Sequence, residues 1–67
     1  MASTLLTIQE VSGRTRLPVP TLRYFRTRNE GPPSFRLGRR VLYRESDVEA
    51  WIDAQMQADA DRRRRVA

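Results

Sequence analysis

The chain has 67 residues, a formal charge of +5 and neither cysteine nor histidine, and all thirteen of its basic residues are arginine. That length allows one small domain with a marginal core, and the composition excludes disulfides and the usual zinc sites. No apolar run approaches the roughly 20 residues of a membrane span, and the opening "MASTLLTIQE" lacks the basic start and long apolar stretch of a signal peptide, so a cytoplasmic protein is expected.

The first helix signal is "LTIQEV". Thr7 followed three residues later by Glu10 makes a capping box, and Leu6 with Val11 fits the hydrophobic staple around it. A helix is expected from about Ile8 to Gly13, with Ile8 and Val11 inward and Ser12 small enough for a second helix to come close. After the break "RTRLP" comes "VPTLRYFRTRNEG". Pro18 and Pro20 suit the first turn of a helix starting near Val19, where an amide hydrogen has no intrahelical partner. Asn29 to Gly31 mark its end. Leu22 and Phe25 share the apolar face, and the opposite face carries Pro20, Arg23, Tyr24 and Thr27, flanked by Thr21 and Arg28.

"GPP" forms a stiff connector, because each proline pushes its predecessor toward extended backbone. It leads into "SFRLGRRVLY", which reads as a β-hairpin. Matching apolar residues favours a three-residue loop, Gly38-Arg39-Arg40. Leu37 then faces Val41, Phe35 faces Tyr43, and Arg36 and Leu42 take the other face. A two-residue Gly38-Arg39 loop pairs Leu37 with Arg40 and mixes the faces. The last element is a helix from about Glu45 to Ala58: Glu45, Asp47 and Glu49 crowd the turns where the helix dipole favours negative charge. Val48, Trp51, Ile52, Gln55 and Met56 follow helical spacing, and Trp51 is assigned to the core. Residues 59–67, with the run Arg62 to Arg65, are expected to be a disordered basic tail.

The arginines make a polyanion the leading partner, since guanidinium groups contact phosphate and guanine edges bidentately. A GC-rich genome also enriches arginine, and a merely solubilising charge would scatter it over every face. An enzyme is not expected. Ser34 and Ser46 have no candidate base beside them, and Asp47, Glu49 and Asp53 are explained by helix-start charge and solvation. No cofactor, metal or small-molecule substrate is implied.

Two short helices, a tight turn, a hairpin with a basic tip and a closing helix spell a winged helix-turn-helix over residues 1–58, mainly α with a small β-hairpin. In that architecture the second helix enters the major groove and the wing reaches a neighbouring groove or the phosphates. Arg39 and Arg40 at the wing tip suit a narrow minor groove, which concentrates negative potential. Arg23 is the best placed for base-edge readout, Tyr24 for a phosphate or sugar contact, and Arg26 and Arg28 for phosphates. Arg14 and Arg16 near the turn, and Arg62, Arg63, Arg64 and Arg65 in the tail, are further phosphate candidates.

The pieces "LLTIQEV", "LPVPTLRYFR" and "GPPSFRLGRRVLYRESDVEAWI", in that order, resemble the excisionase and AlpA-like branch of the MerR-type winged helix-turn-helix proteins. The resemblance covers about Leu5 to Gln55. It implies a recognition helix from Val19 to Arg28 with Pro20, Thr21, Arg23, Tyr24 and Thr27 toward the groove, and wing contacts from Arg36, Arg39 and Arg40. Two departures stand out: Arg16 where the family often has glycine, and Pro18 where it often has a capping serine. By resemblance the chain is a phage or mobile-element excisionase acting in a bacterial cytoplasm. Such a protein bends attachment-site double-stranded DNA, binds it cooperatively as head-to-tail copies and steers a tyrosine integrase toward excision. Surfaces available for self-contact are Ala2 to Leu5 and the faces around Glu30 and Ala58 to Asp61. The alternatives are a small AlpA-like prophage transcriptional regulator, and a protein-binding adaptor or antitoxin.

Overall fold

A computed structural model describes residues 4–66; Ala2 and Ser3, expected as part of one self-contact surface, lie outside the described residues. The elements run β1 (Leu5–Leu6), α1 (Ile8–Thr15), α2 (Val19–Thr27), β2 (Phe35–Leu37), β3 (Arg40–Arg44) and α3 (Glu45–Val66).

The capping box forms as the sequence predicts: the Thr7 amide donates to Glu10 Oε1 at 2.8 Å and the Glu10 amide donates to Thr7 Oγ1 at 3.2 Å. The staple residues Leu6 and Val11 are both buried in the core. Leu6 also belongs to a short strand that its sequence did not announce; it pairs with Tyr43, and Leu5 pairs with Arg44. α1 runs one half-turn past the expected Gly13. Thr15 Oγ1 donates back to the Val11 carbonyl, and the helix stops only where Arg16 enters the left-handed region at φ 62°. There the Arg16 amide donates to the Ser12 carbonyl at 2.9 Å, an αL-type close that glycine usually makes. Ser12 tightens the turn further, its hydroxyl donating to the Leu17 carbonyl at 2.6 Å.

Pro18 supplies no side-chain cap to α2. Its carbonyl accepts from the Thr21 and Leu22 amides instead, so the helix starts without the serine. α2 closes on Asn29, at φ 56°, with the Glu30 amide donating to the Phe25 carbonyl at 2.8 Å and the Asn29 amide to Arg26 at 3.1 Å. This is the paired bonding of a Schellman close. Gly31 follows at φ 77°, and a Cβ there would stand 2.9 Å from Phe25 Cβ. Any larger residue at Gly31 would press on Phe25 in the turn into the buried Pro32.

The hairpin differs from the sequence-based expectation. Phe35 pairs with Leu42, Arg36 with Val41 and Leu37 with Arg40, so the loop is the two-residue Gly38-Arg39 rather than Gly38-Arg39-Arg40. Gly38 sits at φ 64° and Arg39 outside the left-handed region, as a two-residue turn with glycine first requires. Turn geometry thus prevails over apolar matching. Val41 and Tyr43 face the helices with Arg36 on their side of the sheet, while Phe35 and Leu37 share the outer face with Arg40 and Leu42 and stay 37% and 55% exposed. The three strands form one antiparallel sheet in the order β1-β3-β2.

Among the described residues the buried core is Leu6, Val11, Leu22, Tyr43 and Val48, with Ile8, Leu17, Val41 and Ile52 packed against it. Every element but β2 contributes to it. Trp51, assigned to the core from its spacing, is only half-buried. It lies at the rim, its ring 6.4 Å from that of Phe25, because α3 is already leaving the body there. Tyr43 takes the central place instead.

The last helix does not end near Ala58. It continues to Val66, so residues 59–66 of the segment expected to be a disordered tail form its last turns, and Ala67 lies outside the described residues. The physical reason is local: alanines at 50, 54, 58 and 60 favour helix. Arg63 pairs with Asp59 at 3.2 Å and Arg64 lies 3.9 Å from Asp61, and arginines at a C-terminus complement the dipole. Two helices joined by a tight turn, then a hairpin against them, make this a winged helix-turn-helix.

Candidate nucleic-acid interface

The arrangement of α2 follows from its apolar stripe. Leu22 is buried and Phe25 half-buried, which turns Pro20, Arg23, Tyr24 and Thr27 outward; all four are exposed, and Thr21 is half-exposed at their flank. The side chains on this front are partly ordered by one another. The Thr27 hydroxyl donates to the Tyr24 carbonyl at 2.7 Å, and the Arg28 guanidinium lies over the Tyr24 ring, 5.5 Å from its centroid. A planar cation on the face of an aromatic ring is held by the ring's quadrupole. Arg28 is also 3.4 Å from Glu30.

The arginines separate into two groups. Arg14 is bound to Glu45 at 2.6 Å and Arg44 to Asp47 at 2.9 Å, both tying the N-terminal turn of α3 to the rest of the domain. With Arg28, Arg63 and Arg64 they are the arginines that have a carboxylate within ion-pair distance. Among the described residues, Arg16, Arg23, Arg26, Arg36, Arg39, Arg40, Arg62 and Arg65 have none. Six of these eight belong to the helix-turn-helix and the wing. Arg14, read from sequence as a candidate beside the turn, is thereby engaged within the protein, and its place is the last turn of α1.

The wing carries Arg36, Arg39 and Arg40, all exposed, with Arg39 in the two-residue turn and Arg36 and Arg40 on opposite faces of the hairpin. The corrected register therefore distributes the three arginines over both faces and the turn of the hairpin and not on one face. Arg62 to Arg65 occupy consecutive positions near the end of α3, so they point to all sides of the helix and not to a single face.

Three of the sequence-predicted residues come together. Arg23 and Arg26 from α2 and Arg40 from β3 line a cleft of about 340 Å³, closed by Thr7, Ile8 and Gln9 at the start of α1 and by Val41 and Leu42. Arg26 is tethered from the neighbouring recess by Ser34, whose hydroxyl oxygen accepts from Arg26 Nε at 2.9 Å. Thr7, Ile8 and Gln9 were not foreseen as part of this cleft. The capping box showed where α1 begins, but nothing local could show that its first turn faces the gap between α2 and the wing.

The model of the helix-turn-helix domain family matches residues 5–56 of the chain. No curated protein and no solved structure gives a match. Among the described residues no helix is long and apolar enough to cross a membrane. With a turn-linked helix pair, an arginine-bearing second helix and a family match spanning most of its length, the chain belongs to the helix-turn-helix domain family, whose members bind DNA.

Proposed function

We propose that the protein is a sequence-specific, architectural DNA-binding protein: an excisionase of a phage or other mobile element that bends attachment-site DNA and directs a tyrosine integrase toward excision. The observation that carries the DNA contact is the separation of the arginines. Arg23 and Arg26 of α2, Arg16 in the turn and Arg36, Arg39 and Arg40 on the wing lack carboxylate partners, whereas Arg14 and Arg44 are spent on internal ion pairs and Arg28 lies beside Glu30. A charge present only for solubility gives no reason for that division.

In this reading α2 lies in the major groove with Pro20, Thr21, Arg23, Tyr24 and Thr27 toward the bases. Arg23 reads a guanine edge, a bidentate contact worth about 1–3 kcal/mol of discrimination. Arg26 and Arg28 hold phosphates, and the wing places Arg36, Arg39 and Arg40 at the adjacent minor groove and the phosphate backbone beside it. Arg16 and the end of α3 add affinity without sequence information. The excisionase assignment rests on the order and spacing of the three motif segments. One reading unit covers a short site, so useful affinity calls for neighbouring copies, arranged head to tail, or for another DNA-bound protein. Bending requires only distributed contacts repaid by a larger contact surface.

The test is a gel-shift titration on the DNA flanking the gene, with a promoter fragment and a random duplex as competitors. Successive cooperative shifts on attachment-site DNA, with mobility that depends on where the site lies in the fragment, are expected. A single specific shift on the promoter alone would replace this reading with that of a small transcriptional regulator. Equal, salt-labile binding to all three fragments would remove the claim to sequence specificity.

A further inference from the structure

Adjacent major and minor grooves of a duplex are separated by a single sugar-phosphate strand. A protein with one element in each groove therefore straddles that strand, and whatever lies between the two elements faces its phosphates. Here the gap between α2 and the wing is the cleft lined by Arg23, Arg26 and Arg40 and by the first turn of α1. We infer that this cleft is the seat of one DNA phosphodiester, held by the Arg26 and Arg40 guanidinium groups and by the backbone amides of Ile8 and Gln9. The inference rests on the DNA-binding reading above.

The chemistry of the lining fits a monoanion. No acidic side chain lines the cleft; the nearest carboxylate in sequence, Glu10, is turned back onto the Thr7 amide. The first amides of a helix have no intrahelical acceptor. In α1 the capping box takes those of Thr7 and Glu10, and Val11 is the first to bond back, to the Thr7 carbonyl at 3.0 Å. The amides of Ile8 and Gln9 are the two left over, and both residues line the cleft. Amides at a helix start, with the positive end of its dipole, favour an anion. Arg26 commits its Nε to Ser34 and so presents its two terminal nitrogens in a fixed plane, the geometry of a bidentate phosphate contact. Ser34 is a positioning residue, and it links the Pro-Pro connector to the site.

The experiment scans a duplex recovered by selection from a random pool, replacing one phosphodiester at a time by an uncharged methylphosphonate. One position on the strand between the two contacted grooves should weaken the unaltered protein about tenfold, the loss typical of one charge-assisted contact. In Arg40→Ala and in Arg26→Ala the same replacement should cost little more, because the contact is already gone. Ser34→Ala should weaken binding less than Arg26→Ala and at that same phosphate. Arg40 lies on the exposed hairpin, so Arg40→Ala remains informative if Arg26→Ala fails to fold. Full additivity of the arginine variants with every methylphosphonate position, while the duplex is still bound, overturns the phosphate seat and leaves the DNA-binding reading standing. Recovery of no duplex from the pool overturns both.

Discussion

Tyr43 fills the centre of the core, yet its hydroxyl is buried without a hydrogen-bond partner among the described residues. Burial raises its pKa above the ordinary phenol value, opposed in part by the positive charge of Arg26. Below about pH 10 the phenol is protonated in the folded and the unfolded chain alike. Above it the unfolded chain releases a proton that the folded chain retains, so stability falls as pH rises toward the higher folded value. Tyr43→Phe removes the unpaired hydroxyl and the titration together. It should leave stability at neutral pH unchanged or raise it by up to about 1 kcal/mol, and urea denaturation between pH 9 and 11 should show a shallower decline than in the unaltered protein. Such residue-level detail was unevenly legible. Thr7, Glu10 and Pro18 act through neighbours three or four residues away and were read correctly. The exchange of roles between Trp51 and Tyr43 depends on where α3 departs from the body, which no local pattern encodes.

The connector between α2 and the hairpin has the least room for change. Gly31 combines a positive φ with a space already occupied by Phe25, whose Cβ and Cδ2 lie 2.9 Å from where a side chain would begin. Cβ of Phe25 is fixed to the helix backbone and cannot swing aside. Gly31→Ala should therefore cost about 2–3 kcal/mol, read as a lower urea midpoint. Trp51 is the chain's single tryptophan and packs on Phe25, so its fluorescence should report the loosening directly. Gly38, with open space around it, shows why element identity was legible and register was not. The apolar alternation of Phe35, Leu37, Val41 and Tyr43 announces two strands. The pairing, however, is set by the turn that Gly38 makes, and a small core has no place for all four side chains. The front of α2 was legible because helical spacing alone separates Arg23, Tyr24 and Thr27 from Leu22. The cleft was not, because it joins three elements distant in sequence.

At the scale of the whole molecule, the 22-residue α3 would be about 33 Å long at 1.5 Å per residue, and the protein measures 47 × 29 × 20 Å. Residues 53–65 are all exposed, so the end of the helix adds charge without adding core. Truncation after Ala58 should leave the thermal midpoint within a few degrees of its original value. It should flatten the dependence of log affinity on log salt by up to about 0.9 for each arginine that touches a phosphate, measured by anisotropy on a duplex. The turn between α1 and α2 has a consequence of a different kind. A non-glycine residue in the left-handed region is held there at a cost of roughly 1 kcal/mol, and at φ 62° Arg16 carries that strain in the free protein. If its guanidinium meets DNA, the complex gains a contact at a residue where the unbound domain carries strain. Arg16→Gly should raise the melting temperature of the free protein and narrow the gap between its free and DNA-bound melting temperatures. Thermal tolerance and grip on the ligand would then be opposed at a single backbone angle, and a host living at higher temperature would favour glycine there, at the expense of binding.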